Sequence, residues 1–299
     1  MADIPPAEVT IDARLVSRLL REQAPSLAGL PVERFANGWD NEMFALGPDL
    51  LVRLPRRQAS AGLIGHEAAV LPRLAPGLPV PVPVPLFFGR PGPGFPWRWT
   101  VVPRLPGRTA ADVGVGDRAA AAPGLAAFLV ALHVPADADA PVNPVRGVPL
   151  GVREQAWTPR ILACVGPEGL ARWRRWAAAP AWPGPPVWVH GDPHPMNLLL
   201  GGGGGLCGVV DFGDVGSGDP ASDLSVAWLM FDAAARREFR VACTASGRYD
   251  RHIWARAWAW AVGLAAVFSQ ASDDSPALAA VARHGLAETM ADPEFGAAG

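Results

Sequence analysis

The chain reads as an α+β protein with an antiparallel sheet and a helix in a first lobe, residues 1–105, and a mostly helical second lobe, residues 106–299. Three observations carry that reading. Short β-branched and aromatic runs, separated by Gly, Pro, Asn and Asp, crowd the first third of the chain. Apolar stretches of helical length and spacing crowd the remainder. Within the second lobe, five glycines, Gly201–Gly205, join two short apolar runs as a hairpin turn would.

Taken in order, Val9 to Gln23 places Ile11, Leu15 and Leu19 on one helical face. Val32-Glu33-Arg34-Phe35 and Met43-Phe44-Ala45-Leu46 read as strands around the turn Asn37–Asn41. Leu50 to Leu54 is a third strand, and Glu67 to Leu74 an amphipathic helical run. Pro79 to Pro85 alternates Val with Pro, which suits an extended segment and excludes helix. Trp97 to Val102 is a strand, broken by Pro103-Arg104-Leu105-Pro106-Gly107. Ala119 to His133 opens the helical lobe, followed by helices over Arg153–Cys164 and Pro167–Ala179. Val187–Val189 enters a loop as a strand, Leu198–Leu200 leaves it, and Leu206–Val210 returns. Ala221–Arg240, Tyr249–Gln270 and Ser275–Met290 read as a helical tail.

Composition narrows the function. The chain has 299 residues, long enough for two cores. Half of it is hydrophobic and 18% charged, which excludes a disordered chain. A net charge of −2 provides no basis for binding nucleic acid or anionic lipid. No apolar run is expected to span a bilayer; Leu125–Leu132 and Ala259–Phe268 are too short. The first residues carry Asp3 and no basic, apolar signal pattern, so a cytoplasmic protein is expected; nothing in the pattern marks an interface, so a monomer is expected. Cys164, Cys207 and Cys243 fit neither zinc spacing nor a disulfide framework and read as free thiols.

The chemistry is concentrated in His190-Gly191-Asp192-Pro193-His194-Pro195-Met196-Asn197 and, fourteen residues on, Asp211-Phe212-Gly213. The order His-x-Asp-x-x-x-x-Asn, then Asp-Phe-Gly, resembles the catalytic and metal loops of kinases. Phosphoryl transfer needs positioning and charge neutralisation more than covalent chemistry. Asp192 suits the group that orients the attacking hydroxyl and accepts its proton. Asn197 and Asp211 are the candidate oxygen donors for Mg2+, which prefers oxygen and keeps several waters. Either tripeptide alone reads as an ordinary turn; together, with a hairpin between them, they read as a site.

These residues, with Val210-Asp211-Phe212-Gly213-Asp214 and Gly218-Asp219-Pro220-Ala221-Ser222-Asp223-Leu224, resemble the aminoglycoside phosphotransferase family, over roughly residues 30 to 230. Macrolide and capuramycin-type phosphotransferases are similar. The resemblance implies a bilobal protein-kinase-like fold and transfer of the γ-phosphate of ATP or GTP to a hydroxyl of a small molecule, most readily an antibiotic. It makes Asn37–Asn41, with Gly38 and Asn41, the loop over the triphosphate. It puts Arg53 where the family has a lysine or arginine for the α and β phosphates. The chain contains no lysine at all, and an arginine can make that contact in bidentate form. Glu67 becomes the partner of Arg53, and the purine meets the carbonyl of Pro103 and the N–H of Leu105.

Plainer readings stand beside these. Arg53 and Glu67 could be a surface pair, Asn37–Asn41 a simple hairpin turn, and the Pro-rich segment a linker. Asp219 and Asp223 suit capping and loop hydrogen bonds. Trp228, Phe231, Trp254, Trp258, Trp260 and Phe268 read first as core; any that faced a cleft would suit an acceptor with apolar surface. His133 and His190 read as structural. A metabolite kinase acting on an amino alcohol or sugar uses the same residues. A nucleotide-binding pseudokinase without turnover rests only on the missing lysine. A protein kinase lacks an Ala-Pro-Glu signature after Asp211.

Overall fold

The computed structural model describes residues 6–272 and 275–296. The chain divides into two compact units. One comprises the described residues up to Pro76 together with Pro81–Pro106; the other comprises Gly77–Val80 and everything from Gly107 onward.

The first unit is built on five antiparallel strands. These are β1 (Val32–Asn37), β2 (Asn41–Leu46), β3 (Leu50–Pro55), β4 (Phe87–Gly89) and β5 (Trp99–Pro103), in the order β1-β2-β3-β5-β4. Period-two alternation sorts their side chains. Phe44, Leu46, Val52, Leu54, Trp99 and Val101 form one core with Leu15, Val16, Leu19 and Leu20 of α1 (Ala13–Gln23). Arg53 points to the opposite face, opposite Met43 and Thr100 in register. There α2 (Gln58–Leu74) packs on β3 and β5. The helix expected from Val9 begins only at Ala13, because the Asp12 carboxylate accepts the N–H of Leu15 at 2.8 Å and caps it.

The second unit holds two small sheets among helices. Strand β6 (Arg108–Thr109) pairs with β8 (Leu198–Leu200), which pairs with β9 (Leu206–Val209); β7 (Val187–Val189) pairs with β10 (Gly216–Gly218). The loop 190–197 therefore runs from β7 to β8, and the loop 210–215 from β9 to β10. Both loops leave paired strands at adjoining ends. Its helices are α3 (Ala122–Leu132), α4 (Glu154–Ala177), α5 (Ala221–Leu224), α6 (Val226–Met230), α7 (Ala233–Ala245), α8 (Ile253–Gln270), α9 (Pro276–Ala291) and α10 (Pro293–Gly296).

Helix α8 is the centre of the core, packed by α4, α5 and α9. Gly263 lets it approach α4: a Cβ there would lie 2.1 Å from ring carbons of Trp157. The two helices expected over 153–179 are there within α4: Gly166, at φ +71° and ψ −178°, is non-helical and separates them just before Pro167. The single helix expected over 221–240 is three: α5 gives way to α6 at Ser225, and extended Phe231 ends α6 before Asp232 starts α7 by accepting the N–H groups of Ala234 and Ala235. One expectation needs correcting. Val115–Leu132 is long and apolar enough to span a membrane, with mean hydropathy 1.4 over 18 residues. It is, however, divided into a 3-10 segment, Val115–Ala121, and α3, which packs against α7.

Candidate active site

The loop 190–197 is held from beneath by one carboxylate. Asp223, fully buried, accepts the N–H of His190 at 2.6 Å and of Gly191 at 2.9 Å. Its Oδ2 also lies 3.2 Å from Nε2 of His133, whose Nδ1 lies 2.8 Å from the Tyr249 hydroxyl. Burial pushes the Tyr249 phenol well above its ordinary value, so it stays protonated. Asp223 thus serves a loop 32 to 33 residues upstream rather than its own helix. Gly191, with φ +90°, makes the turn; a Cβ there would sit 2.3 Å from the Asp214 carbonyl oxygen.

His190 braces the two loops against each other. Its Nδ1 accepts the N–H of Asp192 at 3.2 Å, so the ring proton is on Nε2, which donates to the Val210 carbonyl at 3.0 Å. Its ring lies 4.5 Å from that of Phe212, which is fully buried beside Phe128. The Val210 N–H in turn donates to the Asn197 carbonyl at 2.9 Å. Asn197 and Asp211 are thereby brought to neighbouring positions. Asp211 takes φ +61°, a left-handed conformation that Asp tolerates better than most residues.

Both oxygens of Asp192 are engaged. Oδ1 receives Arg146 Nη2 at 2.8 Å, and Oδ2 lies 3.2 Å from Nε2 of His194. The Nδ1 of His194 accepts the Met196 N–H, which puts that ring's proton on Nε2, facing the carboxylate. Burial works against the Asp192 charge, but Arg146 and His194 outweigh it and hold the carboxyl well below the usual range. Asp214 behaves oppositely. Burial, with Asp192 and Asp211 nearby, raises it despite Arg146 at 3.6 Å and Asn143 at 2.8 Å. Asn197 donates its amide N–H to the Asp192 carbonyl at 3.0 Å, which leaves the amide oxygen as the end that could meet a cation. Among the described residues no group of three or more His, Cys, Asp or Glu could hold a metal.

The remaining predicted residues lie in the first unit. Arg53 and Glu67 are both buried and paired through Arg53 Nη1 and Glu67 Oε1, so the surface-pair reading fails. Gly38 and Asn41 close the β1–β2 turn, with the Gly38 N–H on the Asn41 carbonyl at 2.9 Å. Pro103 ends β5. The next N–H, of Arg104, donates to the Asp49 carbonyl at 2.7 Å, and Leu105 follows outside the sheet.

A model of the Phosphotransferase enzyme family matches residues 31–260. The chain belongs to this family. The likeness to aminoglycoside phosphotransferases that the motifs suggested is therefore sound, and so is the mixed, bilobal fold. The chain is similar to the structure of aminoglycoside 2'-phosphotransferase-IIIa in complex with GDP. The TM-score is 0.68 at 18% identity, over 93% of this chain and 99% of that one. It is also similar to macrolide 2'-phosphotransferase from Brachybacterium faecium, with TM-score 0.60 at 22% identity, over 91% and 97%. Among curated proteins, a stretch of 61 residues is 34% identical to the uncharacterized protein YcbJ of Bacillus subtilis strain 168. The match spans a fifth of the length of that relative.

Within this phosphotransferase fold, sequence reasoning missed Arg146. No motif surrounds it, and its partners lie 46 and 68 positions away. The available signal was the turn chemistry of Asn143-Pro144 and Gly147 around it. The aromatic set is mostly core: Trp228, Phe231, Trp258 and Trp260 are fully buried, and only Phe268 reaches the site, its ring 5.2 Å from His194.

Proposed function

We propose that the protein transfers the γ-phosphate of ATP or GTP to a hydroxyl of a small molecule, and that the acceptor is an antibiotic. The observation that carries this reading is the pair of adjoining loops that bring Asp192, Asn197 and Asp211 together through the Asn197–Val210 hydrogen bond. Asp192 is ionised, and with its side chain 21% exposed it can meet an acceptor hydroxyl, orient it and receive its proton as the bond to phosphorus forms. Asn197 and Asp211 would hold Mg2+; two oxygen donors suit an ion that takes its remaining ligands from phosphates and water. Bound there, the ion neutralises charge on the transferred phosphoryl group. In residues 1–105, Arg53, oriented by Glu67, would contact the α and β phosphates, Gly38 and Asn41 would cover them, and Pro103 and Leu105 would meet the purine.

Support for a nucleotide donor and an antibiotic acceptor comes from related structures described as complexes with GDP, and with GDP and kanamycin. The test is incubation with Mg2+ and either nucleotide against a panel of antibiotics, amino alcohols and sugars. Mass spectrometry would read the gain of one phosphoryl group. A product formed by the wild type and absent with Asp192→Ala supports the proposal; nucleotide that does not bind at all overturns it.

A further inference from the structure

Arg146 lies on the segment between α3 and α4, and three sets of contacts fix where it points. Asn143 Oδ1 accepts the N–H groups of Val145 and Arg146 at 2.9 and 3.1 Å, an Asx turn that sets the local backbone. The Nδ2 of the same Asn143 donates to Asp214, at 2.8 Å to Oδ1 and 3.2 Å to the carbonyl. The segment is also tied to β10 on both sides of Arg146. The Ser217 N–H donates to the Pro141 carbonyl at 2.9 Å, and the Asp219 N–H to the Gly147 carbonyl at 2.8 Å. Packing there is close: a Cβ on Gly218 would lie 2.3 Å from the Gly147 oxygen. The guanidinium that results, 15% exposed, bridges Asp192 at 2.8 Å and Asp214 at 3.6 Å.

A guanidinium is a rigid planar fork and stays charged, so it fixes carboxylates in direction as well as in charge. Without it, Asp192 would keep only the His194 contact on Oδ2 and Asp214 only Asn143, and nothing would fix the direction of Asp192 Oδ1. We infer that Arg146, set by Asn143, is a positioning residue for phosphoryl transfer: it holds the Asp192 carboxylate in the orientation that receives the acceptor hydroxyl. The inference rests on the reading of Asp192 as the base. A purely structural ion pair would have the same geometry but would not affect turnover selectively.

The experiment compares wild type, Arg146→Ala, Arg146→Lys, Asn143→Ala and Asp192→Ala. The probes are kanamycin and a macrolide as acceptors, with hydrolysis of Mg-ATP and Mg-GTP by water as a second readout. Arg146→Ala is expected to lower kcat by about 10- to 100-fold, the scale of a misplaced catalytic group, with the nucleotide KM within about twofold. Arg146→Lys should fall between it and wild type, and added guanidinium ion should restore part of the Arg146→Ala rate. A folded Arg146→Ala protein with wild-type kcat overturns the inference. So does a loss that guanidinium does not relieve and that tracks weaker nucleotide binding. If Arg146→Ala does not fold, Asn143→Ala decides: a lower kcat at unchanged nucleotide KM supports the inference, and an unchanged kcat overturns it. A wild-type protein that turns over neither nucleotide overturns the phosphotransfer reading itself, and this inference with it.

Discussion

Asp223 is the residue whose removal should do the most damage for the fewest atoms. It is fully buried and takes two backbone N–H groups, at 2.6 and 2.9 Å, from the turn that carries the candidate base. Hydrogen bonds to a charged group contribute about 1.5–3 kcal/mol each. Asp223→Ala loses both and strands two buried donors, so the expected cost is about 3–6 kcal/mol. That is a large share of the roughly 5–15 kcal/mol by which domains are stable. Asp223→Asn keeps the volume and one acceptor oxygen, and should cost about half as much. Urea denaturation at constant m value measures both. The two variants should also lose turnover, on the order of 100-fold for a base displaced by about 1 Å. A loss below about 1 kcal/mol for Asp223→Ala would refute the argument, because it would mean that the His190–Gly191 turn is held by something else.

Three further outcomes follow from the packing of the second unit. Arg256 is buried and ion-paired with Asp219 at 2.7 Å and with Asp250 at 2.5 Å; Arg256→Met, which strands a buried Asp219, should cost about 3–5 kcal/mol in chemical denaturation, and a neutral result would contradict the ion-pair account. Gly263→Ala gains about 1 kcal/mol of helix propensity but drives a methyl to 2.1 Å from Trp157; the overpacking cost of about 1–3 kcal/mol should win, and a higher melting temperature would show that α4 yields. His284 Nε2 donates to the Phe231 carbonyl at 3.1 Å, and burial depresses its pKa below the ordinary 6.5. Above about pH 6.5 it is neutral in both folded and unfolded chains; as pH falls below that, the unfolded chain binds the proton first, so stability declines. His284→Gln should flatten that acid limb, and an unchanged slope between pH 7 and 5 would assign it to other groups.

Local chemistry made much of the molecule legible in advance. Strands β2, β3, β5 and β7 to β9 lie where alternation, β-branching and glycine put them, because those signals act over a few residues. The candidate loops were readable for the same reason: Asp192, Asn197 and Asp211 sit at fixed short spacings that one hairpin can satisfy. Helix boundaries were less so. The break at Phe231-Asp232 and the late start at Ala13 depend on single side-chain caps, which compete with a continuous apolar pattern. What only the tertiary structure decided is how the candidate base, Asp192, is held. Asp223 beneath it, Arg146 and His194 on its two oxygens, and the Tyr249–His133 chain behind Asp223 come from segments separated by up to 116 positions. Sequence spacing records which residues share a turn; which charges meet after folding depends on how helices and loops pack, and a carboxylate selects its partners by distance in space.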